Sequence, residues 1–105
     1  MRNFTLKNRA LNNMDIKPHN IVAARTSTID YEMDRQILLE DVDGLDYSQG
    51  EHFLLLDGSH CSCYDFDETD WDATAYTIDE IKSLALADYN QRDLFWQTVR
   101  EYLGI

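Results

Sequence analysis

Apolar and polar positions along this chain change their period twice, which divides it into three zones. In the first, up to about residue 17, Phe4, Leu6, Ala10, Leu11 and Met14 recur at roughly helical spacing. Thr5 is placed to cap the start of such a helix, and Pro18 to end it. The second zone, about 20 to 77, reads as β. IVAARTSTI (21–29) is rich in β-branched residues, RQILLEDV (35–42) is a second apolar run, and EHFLLLD (51–57) is a third, stopped by Gly58. A turn region, DVDGLDYSQG, with Gly44 and Gly50, separates the last two, so an antiparallel meander is expected. WDATAYT (71–77) alternates large and small residues and offers a short edge strand.

The third zone returns to a helical period. Thr77-Ile-Asp-Glu80 fits a capping box, in which the threonine oxygen and the glutamate each meet a free backbone N–H. Ile78, Ile81, Leu84 and Ala85 then share one face. A second helix is expected from Asn90, striped by Leu94, Phe95, Val99, Tyr102 and Leu103 and closed by Gly104. The expected fold is a single α+β domain over residues 1–105. A small antiparallel sheet of three to four strands packs with N- and C-terminal helices on one of its faces.

At 105 residues the core can be built without disulfides or metals, and 44% hydrophobic residues argue for a folded chain. No apolar run has the length of a membrane span, and the N-terminal stretch lacks the apolar region of a signal peptide. The expected location is the cytoplasm, where Cys61 and Cys63 are reduced thiols.

Charge changes this picture most. The net charge is −11, unevenly placed: +4 over residues 1–29, −15 over 30–80 and zero over 81–105. Such a middle segment repels nucleic acid and membrane surfaces and attracts basic ones. Direct binding of DNA, RNA or membranes is therefore not expected, whereas binding to a basic protein that itself holds nucleic acid is. Carboxylates on alternating strand positions recur about every 6.6 Å on one face, spacing of the same order as duplex phosphates. The candidate partner-binding residues are Asp41, Asp43, Asp46, Glu51, Asp65, Asp67, Glu68, Asp70 and Asp72, with Tyr64 and Trp71 as aromatic anchors.

Three chemistries compete with this reading. His60, Cys61 and Cys63 with His52 offer nitrogen and sulfur donors for zinc, but Cys-x-Cys lacks the two intervening residues that let both sulfurs turn to one ion. A cysteine–histidine nucleophile has no oxyanion loop to serve it, because glycine is scarce. A calcium loop begun at Asp65 needs glycine sixth and glutamate twelfth, where Asp70 and Tyr76 stand. No enzyme activity, cofactor or metal is expected, and the thiols read as small apolar groups closing the third strand.

LLLDGSHCSCYDFDETDW resembles a motif of small bacteriophage and prophage proteins, in which an apolar strand runs into Gly-Ser-His-Cys-Ser-Cys-Tyr, an acid and a tryptophan. Leu54 to Leu56, Gly58 to Tyr64, Glu68 and Trp71 carry it, and the acids between Asp65 and Asp72 depart from it. The resemblance implies phage origin rather than a mechanism. Size, charge and that origin are shared by anti-CRISPR and other anti-defence inhibitors acting as DNA mimics in the host cytoplasm. The alternatives are an acidic immunity protein or antitoxin covering a basic toxin site, and a metal-binding phage accessory protein.

Overall fold

The computed structural model describes residues 1–7, 15–29, 32–61 and 70–105, with the backbone alone for 27–29, 32–33, 59–61 and 70. Five strands, β1 (Arg2–Lys7), β2 (Ile21–Ile29), β3 (Glu32–Glu40), β4 (Glu51–Cys61) and β5 (Asp70–Thr77), form one antiparallel sheet in the order β1-β5-β4-β3-β2. Helices α1 (Ile78–Leu86) and α2 (Leu94–Leu103) follow. The expected α+β fold is thus what forms, with both helices packed on one face of the sheet.

Strand β4 decides the layering. Its run Phe53-Leu54-Leu55-Leu56 is apolar without alternation, and all four residues are buried. Because successive side chains point to opposite faces, such a run needs cover on both sides. Phe53 and Leu55 join Leu38, Tyr76, Ile81, Ala85, Phe95, Trp96 and Val99 on the helix-bearing face. Leu54 and Leu56 join Leu39, Val42, Trp71, Ala73 and Ala75 on the other, where Phe4, Leu6 and Ile16 pack against them.

Local signals place the helices. Thr77 accepts from the Glu80 N–H at 3.3 Å while Glu80 accepts from the Thr77 N–H at 3.0 Å, which is the expected capping box. Asp93 caps α2 through the Phe95 N–H at 2.8 Å, and Gly104 ends it with a left-handed φ of 73°. That helix begins at Leu94 rather than Asn90. Asn90 instead closes a 3-10 turn, Asp88–Asn90, where it is buried. The apolar stripe of α2 differs as well: Leu94 and Tyr102 face outward, and Trp96 takes their place in the core.

Four further expectations are corrected. The N-terminal zone does not begin as a helix: residues 2–7 form an edge strand on β5, with Phe4 and Leu6 half-buried and Asn3, Thr5 and Lys7 exposed. That alternation has period two, and pairing with Ala73 and Trp71 supplies apolar neighbours that a helix over these residues would forgo. Pro18 starts a 3-10 turn rather than ending a helix, and residues 8–14 of the expected helix lie outside the described residues. Gly58 does not stop the third run, since β4 continues through it to Cys61. Strand β5 is no edge strand either, being hydrogen-bonded to β1 on one side and β4 on the other.

Gly58 has a steric reason. A Cβ built there would lie 2.7 Å from Cε3 and Cζ3 of Trp71, so the indole rests directly on the glycine backbone. Trp71 is 2% exposed as a result. Gly58→Ala is expected to destabilise the protein by about 2 kcal/mol through overpacking, measured as a shift in the urea unfolding midpoint. A loss under about 0.5 kcal/mol, the range of neutral surface changes, would mean the indole is not seated on this strand.

Candidate functional site

The sheet has two ends, and described acids of the middle zone lie at both. At one end lies the β3–β4 connection. Asp41 opens it in the left-handed region, with φ 55°, which aspartate tolerates better than most residues. Its N–H bonds the His52 carbonyl at 2.9 Å and its Oδ1 lies 2.9 Å from His52 Nδ1. The Tyr47 ring sits 5.4 Å from that imidazole and its hydroxyl reaches the Val42 carbonyl at 3.5 Å. On the other side, the Tyr102 hydroxyl donates to Glu40 Oε1 at 2.7 Å. Tyr47, His52, Asp41, Glu40 and Tyr102 are therefore linked in one surface row, in which both tyrosines are half-exposed.

The phenols register this charge. Burial first, and then Asp41 and Asp43, hold Tyr47 above the ordinary tyrosine pKa. The hydrogen bond to Glu40 does the same for Tyr102. Asp43 is exposed. Asp46 caps the turn Tyr47–Gln49 by accepting from the Ser48 N–H at 3.1 Å.

Glu51 stands apart from these acids because it is buried. Arg2 donates to it from Nε at 3.2 Å and from Nη2 at 2.9 Å, and the Asp46 N–H donates to Oε1 at 2.8 Å. The same Nη2 reaches the Gly44 carbonyl at 2.7 Å. Arg2 holds the Glu51 carboxyl below the usual glutamate range. The pair thus ties β1 to the connection from inside, and Glu51 is unavailable as a surface contact. A cleft of about 270 Å³ beside it is lined by Met1, Arg2, Gln49, Glu51, Thr77 and Glu80. Its ions are matched internally, since the Met1 amine meets Glu80 at 2.8 Å.

Strand register builds the other end. Asp72 is opposite Asp57, Asp57 is opposite Gln36, and Gln36 is opposite Arg25, all on the helix-bearing face. Arg25 bonds Gln36 and donates to Asp93 at 2.7 Å, which fastens the start of α2 to β2. Burial first, then Asp72, raises the Asp57 pKa. Like charges directly opposite in a sheet are unfavourable.

Of the expected contact residues, Asp41, Asp43 and Asp46 come together at the first end. Asp72 lies at the second. Glu40 is opposite Phe53 and Asp72 is opposite Asp57, four residues further along β4, a distance of about 14 Å at the rise of a strand. These described acids therefore form two groups rather than one row. Asp70 starts β5, but only its backbone is described, as for His60 and Cys61. Cys63, Tyr64, Asp65, Asp67 and Glu68 lie outside the described residues. Trp71 is internal, in the face opposite the helices. Among the described residues no three His, Cys, Asp or Glu side chains are grouped to hold a metal ion, and no helix is long and apolar enough to cross a membrane.

Sequence reading missed Glu40 and Tyr47 at the first end and Asp57 at the second, and took His52 only as a zinc donor and Tyr102 only as part of a helix stripe. The second miss had a signal: Asp57 and Asp72 are acids within strand-like runs, but their juxtaposition needs the register. Comparison with known protein families, curated proteins and solved structures finds no match for this chain.

A raised carboxyl pKa means that the ionised form costs stability at neutral pH, and the cost vanishes once pH falls below the ordinary aspartate value of 3.8. Asp57→Asn is therefore expected to stabilise the protein at pH 7 by about 0.5 kcal/mol at low salt. The gain should shrink on acidification, as followed by thermal melts across pH. A destabilised variant at pH 7 would show that the Asp57 charge supports the fold.

Proposed function

We propose that the protein is a phage-encoded inhibitor that binds a basic, nucleic-acid-binding surface of a bacterial defence complex, its carboxylates standing where phosphates would. The observation that carries this reading is where three of the arginines go. Arg2 is engaged by Glu51 and Gly44, Arg25 by Gln36 and Asp93, and Arg100 by three backbone carbonyls. These cations are bonded within the fold, while Asp41, Asp43, Asp46, Asp57 and Asp72 stay exposed. Tyr47 and Tyr102, half-exposed beside Asp41 and Glu40, add the aromatic contact area that interface centres favour. The phage resemblance of residues 54–71 supports the setting, and the anti-CRISPR analogy rests on size, charge and that origin alone.

Binding of this kind is fast at low salt and weakens as salt screens it. The test is retention of bacterial proteins on the immobilised chain at low and moderate salt, followed by affinity measurements on the complex retained. Reversing Asp43, Asp65, Asp67 and Asp70 to lysine is expected to weaken binding by at least about tenfold, or 1.4 kcal/mol, with the melting temperature checking that the variant folds. DNA should compete with the wild-type protein. Equal affinity of the reversed variant would overturn the proposal, and retention of a secreted-type toxin would move the reading to an immunity protein.

A further inference from the structure

The connection between α1 and α2 is satisfied from within and bare on its outer side. Asn90 Nδ2 donates to the Leu84 carbonyl at 2.8 Å and Gln91 Nε2 to the Leu86 carbonyl at 2.8 Å. Arg100 donates to the carbonyls of Ala85, Asn90 and Gln91 at 2.7, 3.3 and 3.1 Å. Carbonyls at the end of α1 that have no partner inside the helix are thus met by side chains, which holds the connection in one shape. From it project Leu86, Tyr89 and Leu94, exposed by 52, 79 and 76%. Three large apolar side chains so exposed within nine residues, on a connection this well tied, are not explained by folding.

Charge indicates what covers them. Residues 81–105 hold three acids and three bases, whereas residues 30–80 stand at −15. Asp88 and Arg92 flank Tyr89, are exposed, and neither forms an ion pair among the described residues. We propose that this connection is where two copies of the chain associate, about a twofold axis that sets Asp88 of one copy against Arg92 of the other and packs Tyr89 and Leu94 of both together. In such a contact residue i meets j and j meets i, so one exposed acid and one exposed base satisfy each other twice. A basic partner would find little net charge here to attract it. Contacts between copies through the middle zone would bring acid against acid, and those repel. With three apolar anchors per copy the contact is small, and the association is weak and reversible.

The proposal is independent of the partner proposed above, and salt separates the two. Two copies at −11 each repel outside the contact, so association should strengthen as salt rises, whereas binding to a basic partner weakens. Sedimentation of the full chain from micromolar to near-millimolar concentration should show the mean mass climbing towards twice the monomer. Arg92→Asp and Asp88→Arg should each weaken association about tenfold, and the double exchange should restore it. Tyr89→Ser should abolish it with an unchanged melting temperature, since the side chain is already in solvent. A chain that stays monomeric throughout overturns the proposal. So does a dimer indifferent to Tyr89→Ser, or a double exchange that fails to recover.

Discussion

One strand with no polar face sets the terms for the rest of this molecule. Phe53 to Leu56 are buried in turn on alternate sides of β4, so neither surface of the sheet can be left to water. The helix hairpin covers one surface, with Ile81, Ala85, Phe95 and Val99 over Phe53 and Leu55. Small residues serve the other: Ala73 and Ala75 sit beside Leu54 and Leu56, and Trp71 lies down on Gly58. Large side chains from the helices thus cover one side, whereas on the other Phe4, Leu6 and Ile16 pack against a group in which an indole rests on glycine backbone.

What could be read from the chain beforehand follows the range of the interaction. The capping box at Thr77 and Glu80 and the glycine stop at Gly104 are settled within four residues, and both formed as expected. The runs that became β2, β3 and β4 were legible because a dense apolar string between glycine and aspartate turns has few alternatives. Strand β1 was not, since Phe4 and Leu6 acquire their meaning from Ala73 and Trp71, some seventy residues later. Gly58 misled for the same reason: beside Trp71 it extends a strand, and nothing near it in sequence shows the indole arriving. Acids could be counted from the chain, but register alone shows that Asp57 meets Asp72, and the buried Glu51 that it belongs to Arg2.

Seen together, the charges serve two purposes in separate places. Arg2, Arg25 and Arg100 join elements distant in sequence: β1 to the β3–β4 connection, β2 to the start of α2, and the body of α2 to the end of α1. A chain this acidic carries few cations, and these three are bonded within the fold although Arg2 and Arg25 stay exposed. Stability and surface potential are thus linked, because replacing one of these cations by a neutral residue would loosen the fold and make the chain more negative at once.

The placement of β1 bears on synthesis. Of the five strands it leaves the ribosome before the others, yet its hydrogen-bonding partner is β5, and Arg2 stands opposite Ala75. Contacts of such separation close slowly because a long loop must be ordered before they form. The meander β2 to β5 can assemble as successive hairpins, whereas the first strand must wait until most of the chain has emerged. Until then Phe4 and Leu6 have no apolar partner, and the edge of β5 stays open to any extended segment nearby. The strand made before the other four is thus the last to join the sheet, and its arrival covers the edge of β5.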